Sequence, residues 1–311
     1  MPRPETYSYQ RYLAAKKAID DKALNPRVWD RLARSLPRGA PNDPVRVLEL
    51  GAGTGSMVER VLDRGLFAHA DYRALDLDPD NVDEARRRID HWAVGAGYIS
   101  TRSGCGTLTL RSENRTIQVE FEAANALDFV ARERGIRFWD LLIAQAFLDL
   151  VDVPSLLPGM LSLLKPGGLL YLCLNFDGHT ILEPEIDRDL DSQIEAMYHE
   201  TMDRRTSHAR PSGDSRTGRH LFAHLARQGA RVLEAGSSDW VVFPGPGGYT
   251  EDEMYFLHYI VHTIHQALVG DAGLDQRAFD RWVEKRHAQV EAGELLYIAH
   301  QLDILAQAPG A

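Results

Sequence analysis

Short, nearly continuous apolar runs alternate along most of the chain with longer segments whose apolar positions recur every third or fourth residue. The first pattern predicts strands buried on both faces, the second amphipathic helices. Val45 to Leu50, Asp71 to Leu77, Phe138 to Phe147 and Leu169 to Asn175 are of the first kind. Between them, Met57 to Gly65, a segment opening at Asp78-Pro79 and Pro154 to Leu164 are of the second, with Asp78 suited to an N-cap and Pro79 to a first helical turn. Two alternating runs, Thr107 to Arg111 and Thr116 to Phe121, read as a hairpin whose second arm joins the sheet.

Both ends of the chain add helices. Tyr7 to Leu36 predicts two, broken at Asn25-Pro26, with Tyr7, Tyr9, Tyr12 and Leu13 forming an aromatic edge. They either cover one side of the core or form a lid over a ligand. Arg38 to Pro44 is a linker of turn residues. Beyond the fourth apolar run, Ile181 to Gly213 is polar and too long for a simple crossover, as functional or mobile connections are. A helix from Arg216 to Gln228 follows, then a bent strand from Ala230 to Phe243 interrupted at Gly236. Thr250 and Glu253 form a capping box that opens a helix to Val269; Asp275 to Glu291 is another helix and Glu294 to Asp303 the last strand. The alternation throughout predicts an α/β fold with a doubly wound sheet. Residues 1–40 form a helical extension and 41–311 the sheet domain, with 176–215 and 244–292 as elaborations on the substrate side.

The richest stretch is Val45-Arg-Val-Leu-Glu-Leu-Gly-Ala-Gly-Thr-Gly-Ser56, an apolar strand running into glycines at 51, 53 and 55. Without Cβ atoms the chain can turn tightly there and bring bare backbone against a ligand at the mouth of a parallel sheet. A dinucleotide fingerprint needs G-x-G-x-x-G; here the spacing is G-x-G-x-G, and Glu49 precedes the first glycine by two places. A carboxylate there favours a cationic sulfonium donor over a pyrophosphate.

This stretch resembles the first motif of the class I S-adenosylmethionine-dependent methyltransferases, acidic-x-G-x-G-x-G. Three further matches follow in the family's order: Asp76-Leu-Asp-Pro79 at the tip of the second strand, Gln145 to Phe147 after the fourth, and Lys165-Pro-Gly-Gly168 between a leucine-rich helix and the fifth strand. The resemblance spans about 45–175. It implies a Rossmann-like, mostly parallel seven-stranded sheet with the last strand antiparallel, and S-adenosyl-L-methionine as cofactor. It also implies donor contacts from Glu49, Gly51, Ala52, Gly53, Gly55, Asp76, Leu77, Asn125, Ala126, Gln145, Ala146 and Phe147. Asp76 is the expected ribose ligand. Asn125 departs from the family, which usually has an acid on the adenine amino group; the exchange keeps an acceptor and drops the charge, and Asp128 is its rival. Gln145-Ala-Phe-Leu148 is not the Asn/Asp-Pro-Pro-aromatic sequence common among enzymes that methylate amino groups of nucleic-acid bases.

Composition narrows the acceptor. The 311 residues are 44% apolar, ample for a large core, and carry a formal charge of −10. An acidic surface repels polyphosphate, so a small molecule is expected in place of a long nucleic acid. No apolar run reaches the length of a membrane span and the opening residues lack the apolar core of a secretory signal, so the chain is expected in the cytoplasm. Cys105 and Cys173 are too far apart for a metal or redox pair and read as reduced thiols.

Three histidines are the catalytic candidates. His179 follows the fifth strand where an acceptor would lie, and an imidazole can take a proton near neutral pH; it can equally be a plain loop residue. His258 and His262, with His265, fall on one helical face. No thiolate pair or H-E-x-x-H accompanies them, which favours a polar pocket wall or a packed face over a metal site. The expected activity is methyl transfer to a small-molecule acceptor by in-line displacement; the alternatives are a donor-binding subunit without transfer activity and an enzyme using NAD.

Overall fold

The computed structural model describes residues 3–104, 106–135, 139–207 and 210–310. Cys105 and Phe138, the expected head of the fourth strand, lie outside the described residues. Helices α1 (Tyr9–Ala23) and α2 (Pro26–Ser35) lead into strand β1 (Val45–Leu50), helix α3 (Ser56–Asp63), β2 (His69–Asp76) and α4 (Pro79–Gly95). Strands β3 (Ile99–Arg102), β4 (Leu108–Ser112) and β5 (Arg115–Ala123) come next, then α5 (Ala126–Glu133), β6 (Trp139–Gln145), a 3-10 turn at Leu148–Leu150 and α6 (Val153–Leu163). The long β7 (Leu164–Glu183) is followed by α7 (Arg188–Asp203), the short pair β8 (Thr206–Ser207) and β9 (Arg210–Pro211), and α8 (Thr217–Arg227). Strands β10 (Arg231–Ser237) and β11 (Trp240–Val242), helices α9 (Glu251–Leu268) and α10 (Gln276–Ala292), and β12 (Leu296–Gln307) complete the chain.

The main sheet runs β10-β12-β7-β6-β1-β2-β5-β4-β3, with β11 also paired to β12. β1 is parallel to both β2 and β6, β5 to β2, and β7 to β6, while β12 runs antiparallel to β7 and to β10. Seven of these strands, β1, β2, β5, β6, β7, β10 and β12, therefore form the expected mostly parallel sheet with its last strand reversed. Val47 and Leu48 are both fully buried although successive side chains face opposite ways, because helices cover both faces. On one face Val47 packs in a cluster with Met57, Val61 and Leu32; on the other Leu48 packs with Leu142, Leu156 and Met160. A third cluster joins α1, α9 and α10 through Ile19, Phe256 and Trp282.

The structure corrects the sequence reading in four places. The hairpin gains a third strand, β3, at the sheet edge, which its short, exposed Ile99 to Arg102 segment did not signal. β7 does not stop at Asn175 but continues to Glu183, held by β12 through Leu296 opposite Glu183. The polar segment after it is largely a helix, α7, whose N-cap Asp187 accepts a hydrogen bond from Leu190. The bent strand breaks at Ser238-Asp239 and not at Gly236, where the Ser238 amide turns to the Gln301 carbonyl.

The C-terminal ends of β1, β2, β5 and β6 meet at one edge of the sheet, and α1 crosses it. Asp20 of α1 is 2% exposed and accepts from Lys16 Nζ at 2.6 Å, Gln145 Nε2 at 2.8 Å and Trp240 Nε1 at 2.9 Å, with Arg60 Nη2 at 3.7 Å. Arg60, itself buried in α3, also pairs with Asp21 and donates to Gln145 Oε1 at 2.6 Å. One carboxylate thus joins the N-terminal helix to α3, to the tip of β6 and to β11. Removing one partner of a buried ionic cluster costs about 3–5 kcal/mol, because the remaining charges stay desolvated. Urea unfolding of Asp20→Ala should show a loss of that size, whereas the exposed Asp63→Ala should unfold like the unaltered chain.

Candidate functional site

At that edge lies a cavity of about 880 Å³. Its floor is the glycine turn. Gly51, Gly53 and Gly55 all have positive φ, of 69°, 52° and 77°, a region that penalises any side chain. At Gly51 a Cβ would also come within 2.5 Å of the Phe147 ring. Gly53 donates its amide to Asp76 Oδ2 at 2.7 Å, so the bare turn and the tip of β2 are tied together. Gly55 caps α3 without any side-chain hydrogen bond, leaving amide groups of the first turn without a side-chain partner.

Every expected donor contact except Gly55 lines this cavity: Glu49, Gly51, Ala52, Gly53, Asp76, Leu77, Asn125, Ala126, Gln145, Ala146 and Phe147. Gly55 sits beneath, where a Cβ would touch Ala85 and Ile89. Asp76 Oδ1 accepts from the Asp78 amide at 3.0 Å and from Asn81 Nδ2 at 3.1 Å. A carboxylate has about four acceptor sites, so capacity remains for a ligand hydroxyl. Leu77 is 70% exposed although it lies at the cavity, and Leu127 and Leu150 are likewise exposed there. Unburied leucines around a pocket mouth are a surface for a flat ligand to cover.

Two expected contacts differ in detail. Asn125 is the N-cap of α5, its Oδ1 accepting from the Leu127 and Asp128 amides. The oxygen expected to meet an adenine amino group is spent on the helix, leaving the side-chain NH₂ for a ligand acceptor. Its rival Asp128 is exposed and does not line the cavity. Gln145 has both ends of its amide engaged, by Arg60 and Asp20, so it braces the site through these neighbours.

The three catalytic candidates lie elsewhere, a correction that follows from side-chain direction. Along β7, Thr180 is buried and lines the cavity; successive strand residues face opposite ways, which turns His179 out to solvent. α9 presents Tyr259, Ile260 and Thr263 to the cavity. His258 instead faces α10, where its Nδ1 lies 2.9 Å from His287 Nδ1, and burial holds its pKa down to about 4, so it is neutral. His262 stacks on Tyr7 with ring centroids 4.1 Å apart. The histidine face is helix packing. Among the described residues there is no group of three or more His, Cys, Asp or Glu side chains placed to hold a metal ion.

The side chains that do line the remaining wall were missed from sequence. Lys16 and Asp20 reach it from α1, Trp240 from β11, Tyr198 from α7 and Tyr297 from β12. A signal was present only for α1: positions 9, 12, 13, 16 and 20 share a helical face, so two charges sit amid its aromatic edge. Asp149, in the 3-10 turn, also lines the cavity; burial raises its pKa, and its Oδ1 finds no hydrogen-bond partner.

No family model matches the chain. A curated relative, methyltransferase calH of Penicillium decumbens, is 31% identical over 142 residues, covering 43% of this chain and 32% of the relative. The chain thus spans about a third of the length of the curated relative it matches. A solved S-adenosylmethionine-dependent methyltransferase of Thiobacillus denitrificans, in complex with S-adenosyl-L-homocysteine, aligns at 15% identity with a TM-score of 0.47, over 97% of this chain and 99% of that one. A sarcosine dimethylglycine methyltransferase structure from Galdieria sulphuraria aligns at 15% identity and a TM-score of 0.44, over 98% and 92%. Among the described residues no helix is long and apolar enough to cross a membrane.

Glu49 sets a pH dependence. It is 1% exposed, accepts from Tyr72 Oη at 2.6 Å, and burial pushes its pKa up to about 8 against the opposing pull of Tyr72, Arg60 and Arg88. At neutral pH the resting carboxyl therefore keeps its proton, contrary to the carboxylate expected from sequence. A nearby cationic ligand favours the ionised form, so its binding releases that proton and strengthens as pH rises toward about 8. Calorimetry of S-adenosylmethionine binding should show affinity falling up to about tenfold per pH unit below that value. In Glu49→Gln the slope should disappear.

Proposed function

We propose that this chain is a class I S-adenosylmethionine-dependent methyltransferase that moves the methyl group of S-adenosylmethionine to a small-molecule acceptor. The observation that carries the proposal is geometric. Glu49 and Asp76, at the tips of neighbouring strands, line one crevice, and the positive-φ glycine turn lies between them. The cavity volume and the bare backbone fit an adenosyl group, and the exposed Leu77 and Leu127 supply flat apolar cover for its base.

When bound, the donor brings a methyl group on a sulfonium with a good leaving group already attached. The chain's own task is alignment and exclusion of water. In our reading Asp76 accepts from the ribose hydroxyls, and the Asn125 side-chain NH₂ donates to a ring nitrogen of the base. Glu49, on losing its proton, balances the positive charge at the methionine end. Residues 1–40 act as a wall over the donor that reaches on to the acceptor end through Tyr12 and Lys16, while the 176–215 and 244–292 elaborations frame the acceptor through Thr180, Tyr198 and Tyr259. Cys173, a buried free thiol, suits a reducing compartment, and we place the protein in the cytoplasm.

Asp76→Ala removes the ribose acceptor and unties Gly53, so donor affinity should fall by two orders of magnitude or more, equivalent to about 3 kcal/mol. The unaltered chain, incubated with methyl-labelled donor and a metabolite pool, should yield S-adenosylhomocysteine and a labelled small molecule. Label found only on protein or RNA, or donor binding without turnover across the pool, would contradict the assignment.

A further inference from the structure

The acceptor end of the cavity has a chemistry of its own. Flat rings form its walls: Tyr12 stacks on Tyr259 with centroids 4.1 Å apart, and Trp240 and Phe176 also face the cavity. The hydroxyls of Tyr12, Tyr198 and Tyr297 make no hydrogen bond to any described residue, yet none is among the fully enclosed unpartnered atoms, so they open onto the cavity. Burial raises the pKa of all three, that of Tyr198 to about 12, so each is a phenol able to donate.

Among them stands one buried ammonium group. The Lys16 side chain is 8% exposed, and its Nζ lies 2.6 Å from Asp20 Oδ2 and 5.0 Å from the centroid of the Trp240 ring. An ammonium group can donate three hydrogen bonds; Asp20 takes one. Asp20 also carries donors from Gln145, Trp240 and Arg60, so its charge is shared among several partners and does not cancel Lys16 alone. The other charged groups close by are Arg60 on α3, Asp149 in the 3-10 turn and Arg205 just after α7, which lines the same cavity.

A cation in such a place discriminates. An amine acceptor in its charged form would meet a buried ammonium that already occupies the Trp240 face, in a cavity due to receive a sulfonium as well; like charges at low dielectric are strongly unfavourable. An oxyanion meets the opposite field and several donors. We propose that Lys16 receives the acceptor oxygen as an oxyanion, and that the acceptor is therefore a phenol-like hydroxyl on a planar ring system. The inference rests on the methyltransferase reading and specifies its substrate.

The step balances. The hydroxyl proton leaves to water through the cavity mouth as the phenolate settles against Lys16. The phenolate oxygen supplies the electron pair of the new O–C bond, the C–S pair returns to sulfur, and a methyl ether and a neutral thioether result. Lys16 acts on the oxygen through hydrogen bonding and takes no part in the proton transfer.

The test reads the ionisation of a bound phenol. 4-Methylumbelliferone and 4-nitrophenol, whose phenolate forms are distinguished by fluorescence and absorbance respectively, are titrated from acid to neutral pH with the full chain saturated in S-adenosylhomocysteine. The unaltered chain should lower the pKa of at least one of these phenols by about one unit, giving about tenfold more phenolate at a pH below its free pKa. Lys16→Met should abolish the shift and Lys16→Arg should retain most of it, each with S-adenosylhomocysteine affinity preserved. Benzylamine should not compete.

No shift with either phenol, an equal shift in Lys16→Met, or competition by benzylamine would overturn the proposal. Weakened S-adenosylhomocysteine binding in a folded Lys16→Met would overturn it as well, by assigning Lys16 to the donor carboxylate. Should Lys16→Met fail to fold, Lys16→Gln, which retains a hydrogen bond to Asp20 without the charge, replaces it with the same outcomes. If the unaltered chain fails to bind S-adenosylhomocysteine at all, the methyltransferase reading itself falls, which separates the two failures.

Discussion

A single buried carboxylate, Asp20, holds the parts of this molecule in register. Its oxygens collect donors from α1, β6 and β11, with the α3 guanidinium close by. Leaving any of these donors unpaired in the interior would cost more than a surface contact could return, so the N-terminal helix is fixed as a wall of the cavity. A ligand then enters past the exposed leucines Leu77, Leu127 and Leu150, which line the cavity and mark its mouth. The same carboxylate orients Lys16 and Trp240, so the character of the acceptor end follows from the cluster that fastens the helix.

Backbone strain is concentrated at this edge. Ala146 and Leu174 are the described non-glycine residues with positive φ, at 47° and 55°, and both line the cavity. Each is held by a specific bond: the Ala146 amide donates to the Cys173 carbonyl at 2.9 Å, and the Leu174 amide to Asp303 Oδ1 at 2.8 Å. Asp303 is itself buried, with its pKa pushed up to about 6 chiefly by that burial, and it also accepts from the Asn25 amide that starts α2. Strained residues persist where their surroundings over-determine them. Here those surroundings are neighbouring strand ends whose carbonyls and amides must pair somewhere other than in the regular ladder.

The donor half was legible because its constraints are local. A glycine at a positive-φ turn, an acid at a strand tip and a proline opening a helix each leave a mark within a few residues, and β1, β2, β6 and α4 lie close to where the pattern puts them. The acceptor half was legible only along the shared face of α1, because its other residues come from β7, α7, β11, α9 and β12 and have no common spacing. The histidines illustrate the difference. His258 and His262 share a face as their spacing requires, but which way that face points is settled by α10 and Tyr7, which periodicity does not contain. Asn125 shows a subtler limit: residue type revealed an acceptor at the right place, while the helix it caps consumed the oxygen.

Amide hydrogen exchange along α1 tests the role given to Asp20 most directly. With no ligand present, the amides from Tyr12 to Ala23 should exchange through global unfolding, as slowly as those of β1, and S-adenosylhomocysteine should change their protection only in parallel with β1. Fast exchange in the ligand-free chain, with protection of α1 appearing only on binding, would show a mobile lid and contradict the fixed wall.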